Sequence, residues 1–267
     1  MPATAELVQR LAVDLAAETG ELTTLLRRLP LADWDSETPA VGWTIRDQVT
    51  HLAFFDGATL VSITDPAAFT AQRAELLARG GNFPDVIAVR YRDLSGPEAL
   101  DWFERSRDAL LAAYRAADPG QRLPWYGPDM GLASSLTARL METWAHGQDI
   151  VDTVGEKRRP TARLQHIAEL GMRTFAFGFR VRGLPVPAEP VRVELAGPDG
   201  QRWTRGPEDA ADRVTGDIEE FCLVVVRRRN IADTGLTVTG PVAARWMAIA
   251  QAFAGPPSDP PAPGERP

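Results

Sequence analysis

Residues 141–150 read METWAHGQDI and lie within a longer stretch, ARLMETWAHGQDIVD, whose apolar residues have the spacing of a helix. Glu142 and His146 are four residues apart, so a helix places both side chains on one face, about 6 Å apart. The chain has only 3 histidines. A carboxylate and an imidazole at this spacing suit a metal ion, whereas a surface ion pair is the alternative for these two residues taken alone.

A second histidine lies in another segment with a helical pattern. His51 belongs to DQVTHLAFF, a mostly apolar helix face. In a helical bundle, facing helices can bring His51 opposite Glu142 and His146. Two histidines and one carboxylate leave open coordination positions, which suits a catalytic divalent ion such as Zn, or alternatively Ni or Fe. The remaining alternative treats both histidines as structural residues of the core.

Helical patterns fill the first 155 residues, and strand patterns are absent there. Leucines recur along one stripe that ends at Pro30, and Thr44 with Asp47 forms the T-x-x-D pattern that caps a helix start. An antiparallel helical bundle is the economical packing for such helices. Further helices are predicted near residues 65–81, 84–94, 97–117 and 134–154.

The pattern changes after residue 155. One helix is predicted near residues 162–178, and VRVELAGPDGQRW alternates like a strand hairpin that turns at Asp199-Gly200. DIEEFCLVVVRRR is predicted as a helix, GLTVTG as a short strand and PVAARWMAIAQAFAG as a closing helix. We therefore predict an α+β two-domain protein, with a helical bundle in 1–155, a small α+β domain in 160–255 and a disordered tail in 256–267.

Composition narrows the class of protein. The formal net charge of -7 argues against a nucleic-acid partner, which would require clustered Lys and Arg. No stretch approaches about 18 uncharged apolar residues, so we expect no membrane partner. The single cysteine, Cys222, lies in the apolar stretch FCLVVV and is expected to be a buried thiol. One cysteine excludes an intramolecular disulfide and fits a cytoplasmic location.

Two stretches, GWTIRDQVTHL and ARLMETWAHGQDIVD, resemble the DinB-like metal-binding superfamily. Within it, they most closely resemble the mycothiol-dependent maleylpyruvate isomerase family of actinobacteria. The resemblance covers about residues 5–155 and implies an N-terminal DinB-like four-helix bundle with His51, Glu142 and His146 as metal ligands. It also implies a mycothiol-type thiol as cosubstrate. An arginine of the second domain would reach the active site, for which we take Arg228 among the three arginines of VVVRRRNIAD.

Three polar side chains lie close in sequence to these ligands. Arg139, three residues before Glu142, is predicted to clamp a substrate carboxylate, with an ion pair to Glu142 as the alternative. Asp149 is predicted to lie on the same helix face as His146 and to orient its imidazole as an outer-shell partner. Asp47 could do the same on the other helix, although helix capping already explains it.

Aromatic residues that surround the predicted ligand helices are candidates for binding the thiol or the substrate. Trp43 stands in the loop before the helix of His51, and Trp125 and Tyr126 stand in the loop LPWYGPDMG before the helix of His146. We predict that all three line a pocket.

These features together predict an enzyme. A metal-held thiol loses its proton, and the thiolate can isomerise or S-conjugate a small electrophilic substrate. The alternatives are a hydrolase whose metal activates water, and a non-catalytic accessory protein that binds a metal or a small molecule. The expected partners are a small-molecule substrate and a thiol, and both a monomer and a homodimer stay open.

Overall fold

The computed structural model describes residues 4–78, 83–198 and 200–266. The chain divides into two compact units, Met1–Glu156 and Lys157–Pro267. Within the described ranges, no helix combines the length and apolar character needed to cross a membrane.

The first unit is a helical bundle. α2 packs against α5 and α6, and α1 packs against the same two helices. The bundle predicted from the sequence is confirmed, but the expectation of no strands is wrong, because β1 and β2 form a two-residue antiparallel pair. In chain order the elements are α1 (Ala5–Leu26), α2 (Ile45–Thr64), α3 (Pro66–Ala78), α4 (Phe83–Arg90), α5 (Gly96–Ala116), β1 (Arg122–Leu123), β2 (Met130–Gly131) and α6 (Leu132–Val154).

Local sequence explains where α2 and α5 begin. The predicted cap of α2 is confirmed: Thr44 Oγ1 accepts from the Asp47 N–H at 3.3 Å, and the Asp47 carboxylate accepts from the Thr44 N–H at 2.9 Å. At the start of α5, Gly96 lies against the indole of Trp34. A Cβ there would lie 2.4 Å from the indole, so only glycine fits this contact.

A buried carboxylate ties α2, α5 and α6 together. Asp56 of α2 accepts from Arg107 Nε at 2.7 Å and from Arg139 Nε at 3.0 Å. Thr19 and Thr143 accept further hydrogen bonds from Arg107. All five side chains are buried. Because unpaired buried charges are strongly disfavoured, this network holds the three helices in a defined register.

The second unit combines helices with a four-stranded sheet. The strand order is β4-β3-β5-β6, with β3 antiparallel to β4, β3 parallel to β5, and β5 antiparallel to β6. The predicted α+β two-domain fold class is confirmed. The elements are α7 (Leu164–Arg173), α8 (Phe175–Arg180), β3 (Val191–Ala196), β4 (Arg202–Arg205), β5 (Asp212–Asp217), α9 (Ile218–Val225), β6 (Thr237–Thr239) and α10 (Pro241–Ile249).

Two details of this unit differ from the sequence-based expectations, and a third is confirmed. The single helix expected near 162–178 is divided at Thr174, whose hydroxyl donates to the Leu170 carbonyl at 3.0 Å. β5 was not expected, since Val214 is its one buried apolar side chain and Gly216 interrupts the pattern. The hairpin of β3 and β4 is confirmed, although Asp199 of its predicted turn lies outside the described residues.

The predicted tail and the cysteine can also be placed. Within residues 256–266, the Ser258 N–H donates to Gln251 Oε1 at 3.1 Å, and the Pro261 carbonyl accepts from Asn230 Nδ2 at 2.8 Å. Disorder of this tail stays a prediction. Cys222 is fully buried, as expected, and burial raises the pKa of its thiol well above the ordinary value.

Candidate metal centre

Three side chains from two helices meet at one point of the first unit. His51 lies on α2, and Glu142 and His146 lie one turn apart on α6. Each offers a ligand atom, and these atoms all lie within 4.8 Å of one another. Both histidines are 8% exposed, while the Glu142 side chain is 24% exposed. The cluster is therefore largely buried, and its carboxylate is the part that solvent reaches.

The distances between donor atoms fit a shared metal ion. His146 Nε2 lies 3.0 Å from Glu142 Oε2, and His51 Nε2 lies 3.7 Å from the same oxygen. Bonds of about 2.0–2.2 Å in a tetrahedral arrangement would separate two donors by about 3.3–3.6 Å. The distances of both histidine nitrogens from the carboxylate oxygen are therefore close to those that one shared ion requires.

His51 has few polar partners of its own. Its Nδ1 is buried and has no hydrogen-bond partner among the described residues, and its Nε2 lies 3.7 Å from Glu142 Oε2, which is longer than a hydrogen bond. A buried imidazole with so few partners is unusual. A cation bound through one of its nitrogens would supply the missing interaction.

The surroundings keep His51 neutral and Glu142 ionised. Burial lowers the pKa of His51 to about 4, and the nearby His146 acts in the same direction. Burial alone would raise the pKa of Glu142, but hydrogen bonds and charge from the two histidines hold it well below its ordinary value. A neutral imidazole and a carboxylate are the protonation states in which these groups bind metals.

Gln48, which the sequence analysis did not single out, contacts the side of the His146 ring that faces away from Glu142. Its Oε1 is hydrogen bonded to His146 Nδ1, on the far side of the ring from Glu142. Its Nε2 donates to Thr38 Oγ1 at 2.8 Å. Gln48 is three residues before His51 on α2, so its position on the same helix face was a signal available in the sequence.

Aromatic rings surround the two histidines. Trp43 is stacked on His146 with centroids 5.9 Å apart and lies 5.1 Å from His51. Its indole N–H donates to Asp85 at 2.8 Å, which fixes the ring. Phe55, one turn after His51 on α2, lies 4.6 Å from that imidazole. The structure thus places Trp43 and Phe55 beside the cluster, and the role of Trp43 in binding the thiol or the substrate stays a prediction.

Trp125 and Tyr126 lie further from the ligands. Their rings are 6.2 and 5.6 Å from Phe55, which in turn lies 4.6 Å from His51. Tyr126 also lines a groove of about 390 Å³ beside α2, together with Phe54 and Trp102. A role for these two residues in binding the thiol or the substrate stays a prediction.

Arg139 has a structural partner instead of the predicted ones. It is 3% exposed, and its guanidinium donates to Asp56 Oδ1 at 3.0 Å and to the Leu52 carbonyl at 3.3 Å. The ion pair that the structure shows for Arg139 is with Asp56 and not with Glu142. A side chain held in this way does not favour the predicted substrate clamp.

The two aspartates proposed to orient the histidines have different surroundings. Asp47 caps α2 and forms an ion pair with Arg92 at 2.8 Å, so capping explains it. Asp149 is fully buried on α6. The observed contact behind His146 is made by Gln48, and an orienting role for Asp149 stays a prediction.

The candidate arginines belong to the second unit. Arg228 donates to the Val226 carbonyl at 2.8 Å, and its catalytic role stays a prediction. The adjacent Arg227 is 5% exposed and has a left-handed backbone with φ of 64°. Burial and the neighbouring Arg182 lower the pKa of Arg227 to about 10.

Comparisons with known proteins identify the family of this chain. A family model described as the mycothiol maleylpyruvate isomerase N-terminal domain matches residues 15–151, and one described as wyosine base formation matches residues 187–238. Uncharacterised proteins from two strains of Mycobacterium tuberculosis are each 45% identical over 244 residues, which is 91% of this chain and 95% of theirs. The chain belongs to the mycothiol maleylpyruvate isomerase N-terminal domain family. The family predicted from the sequence is thereby confirmed.

Two solved structures share the fold. A crystal structure of the mycothiol-dependent maleylpyruvate isomerase gives a TM-score of 0.57 at 16% identity, and that of a histidine-to-alanine mutant gives 0.59 at 15%. Each comparison covers 86% of this chain and 92% of the other. At this level of identity the likeness supports the α+β fold class.

Proposed function

We propose that this protein is a metal-dependent enzyme that uses a low-molecular-weight thiol of the mycothiol type to isomerise or S-conjugate a small electrophilic substrate. The observation that carries the proposal is the convergence of His51, Glu142 and His146, whose ligand atoms lie within 4.8 Å of one another. Family membership supports the thiol. The buried Cys222 as the only cysteine fits a cytoplasmic enzyme.

The three side chains would hold one divalent ion and leave part of its coordination sphere open. Bound there, a divalent ion such as Zn, Ni or Fe lowers the pKa of a coordinated thiol and leaves it as a thiolate. Glu142 contributes a negative charge, because hydrogen bonds and charge from the two histidines hold its pKa well below the ordinary value. With only three ligands from the protein, such a site differs from a closed structural zinc site.

The surrounding residues shape the site for this chemistry. Trp43 and Phe55 place aromatic surfaces beside the two imidazoles and exclude water from them. A nucleophilic thiolate is more reactive when it is not hydrated, and an apolar wall also accepts the carbon skeleton of a substrate. The partly exposed Glu142 marks the side from which small molecules enter.

The reaction follows from the nucleophile. In a cis-enone, the thiolate sulfur adds to one carbon of the double bond, and the electron pair moves to the carbonyl oxygen. The resulting single bond rotates, the electron pair returns to re-form the double bond, and the carbon–sulfur bond breaks to release the thiolate. With an electrophile that has a leaving group, the sulfur forms a bond to carbon while the leaving group departs with the electron pair of its own bond, and the product is a thioether.

The proposal is tested by metal content and thiol chemistry on the same preparations. Untagged protein should contain close to one divalent ion per chain by mass spectrometry, and His146→Ala should lose it. His166→Ala is the matched control, since it removes a histidine of the second unit. Protein that lacks metal even after reconstitution with zinc, nickel or iron(II) would refute the proposal. Metal-dependent hydrolysis without thiol would favour the hydrolase instead, and metal with no turnover would favour an accessory binding protein.

A further inference from the structure

A continuous path of hydrogen bonds joins the loop of Trp43 to His146. The Thr38 hydroxyl donates to the Trp43 carbonyl at 2.9 Å. Gln48 Nε2 donates to the Thr38 oxygen at 2.8 Å, and Gln48 Oε1 is bonded to His146 Nδ1. Gln48 is fully buried and Thr38 is 8% exposed, so water does not compete for these bonds.

The direction of each bond follows from the chemistry of its groups. The single proton of the Thr38 hydroxyl goes to the Trp43 carbonyl, so the Thr38 oxygen accepts from the amide NH₂ of Gln48. That orientation turns Gln48 Oε1 toward His146. Because a carbonyl oxygen only accepts, His146 must carry its proton on Nδ1.

This tautomer leaves the other nitrogen of His146 with a lone pair. Nε2 then faces Glu142 Oε2 at 3.0 Å, and two acceptors at that distance repel each other unless a cation lies between them. A neutral imidazole has only one N–H, so it donates to Gln48 and Glu142 at once only as an imidazolium. In the neutral ring, which is the form that binds metals, an ion bound to Nε2 and to the carboxylate resolves the conflict.

We propose that Gln48 is a positioning residue that fixes the Nδ1–H tautomer of His146 and so presents Nε2 to the metal ion. Thr38 in turn fixes which end of the Gln48 amide faces the ring. The inference rests on the proposed metal site and adds the residues that orient one of its ligands. Partners of this kind commonly affect metal affinity by about 10- to 100-fold.

The same path links the metal ligand to the aromatic wall. Trp43 is both stacked on the His146 ring and attached through its carbonyl to Thr38. Loss of the Thr38 hydroxyl should loosen the Gln48 amide and the His146 ring, while the Trp43 carbonyl keeps its bond from the Thr38 backbone N–H at 2.7 Å. Changes at Thr38 and Gln48 should be non-additive, because both interrupt one path.

The direct test observes the His146 ring nitrogens by NMR in zinc-loaded protein with ¹⁵N-labelled histidine. The expected spectrum shows zinc on Nε2 and a solvent-protected proton on Nδ1. In Gln48→Leu the protected Nδ1 proton is lost. Gln48→Glu retains it, because a carboxylate still accepts from Nδ1–H. A spectrum with zinc on Nδ1, or an Nδ1 proton unchanged in Gln48→Leu, would overturn the inference.

Zinc affinity is measured by competition with a chelator on the same set of variants. Gln48→Leu and Thr38→Val should each bind zinc about 10-fold more weakly or worse, and the double variant should be no weaker than the poorer single one. Thr59→Val is the matched control, because Thr59 is a buried threonine of α2 whose hydroxyl donates to the Phe55 carbonyl within its own helix.

The outcomes separate this inference from the function on which it rests. Wild-type protein that binds no zinc would overturn both. Zinc bound by wild type and by Gln48→Leu with equal affinity would overturn only the role of Gln48. If Gln48→Leu does not fold by circular dichroism, the wild-type NMR spectrum and the Thr38→Val affinity still decide the question.

Discussion

The indole of Trp43 lies nearly parallel to the imidazole of His146, with ring centroids 5.9 Å and planes 15° apart. The same indole is 5.1 Å from His51. Trp43 therefore lies beside both histidines of the candidate site, whereas Trp203 belongs to the second unit. This placement makes Trp43 a natural reporter of metal binding.

A paramagnetic ion in the site should quench tryptophan fluorescence mainly through Trp43. Titration of metal-free protein with Ni²⁺ or Co²⁺ should quench emission with a 1:1 end point. Trp43→Phe should lose most of that quenching, because the aromatic contact remains but the indole is gone. Trp203→Phe, the control, should quench like wild type, and equal quenching in the two variants would contradict the placement of the site.

Removal of the buried carboxylate should strongly destabilise the bundle. Asp56→Asn keeps the shape of the side chain but leaves Arg107 and Arg139 buried without a counter-charge. We expect a loss of about 3–5 kcal/mol in the free energy of unfolding, measured with urea. Asp101→Asn, which breaks an exposed pair with Arg105, should cost no more than about 0.5 kcal/mol. Similar losses in the two variants would contradict the structural role of Asp56.

The metal-free protein should lose stability as the pH falls. The pKa of His51 is about 4 in the folded state against an ordinary 6.5, so unfolding takes up a proton between these values. Stability is therefore highest above pH 6.5 and declines toward pH 4, by up to about 3 kcal/mol from this residue. The lowered pKa of Glu142 acts in the same direction at still lower pH.

Urea unfolding at several pH values checks this dependence. His51→Gln removes the titrating group and should flatten the curve between pH 4 and 6.5. His166→Gln serves as the control for loss of a histidine elsewhere. A His51→Gln curve as steep as that of wild type would show that His51 is not the group responsible.

A methyl group at position 96 should be poorly tolerated. The Cβ of Gly96→Ala would lie 2.4 Å from the Trp34 indole, which is 2% exposed and packed in the core. Relief requires a shift of α5 or of the indole, so we expect a loss of about 1–3 kcal/mol in the free energy of unfolding. Gly20→Ala on α1, where a Cβ meets nothing within 4 Å, should be neutral or stabilising in the same urea measurement.

Local pattern predicted the parts of this protein that depend on one helix. The i, i+4 spacing placed Glu142 and His146 on one face, and the T-x-x-D pattern located the start of α2. His51 was added to this pair because a helical bundle brings apolar helix faces together. The family resemblance implied the same three residues as ligands.

The parts that depend on contacts between distant residues were not predicted. Arg139 was expected at a substrate, but it pairs with Asp56, which is 83 residues away in sequence. The helix face of Gln48 can be read from its spacing to His51, but its partners His146 and Thr38 are determined by how α2 meets α6 and the preceding loop. β5 has too short an apolar alternation to be recognised without its neighbours in the sheet.

The most direct single measurement is the visible spectrum of cobalt-substituted protein as a thiol is added. The three-ligand site predicts one Co²⁺ per chain and intense bands of low-symmetry coordination. Added mycothiol should produce a thiolate-to-cobalt charge-transfer band that saturates and that is absent in His146→Ala. Cobalt that binds stoichiometrically but gives no such band would contradict a site open to the thiol, and failure to bind cobalt at all would contradict the metal site itself.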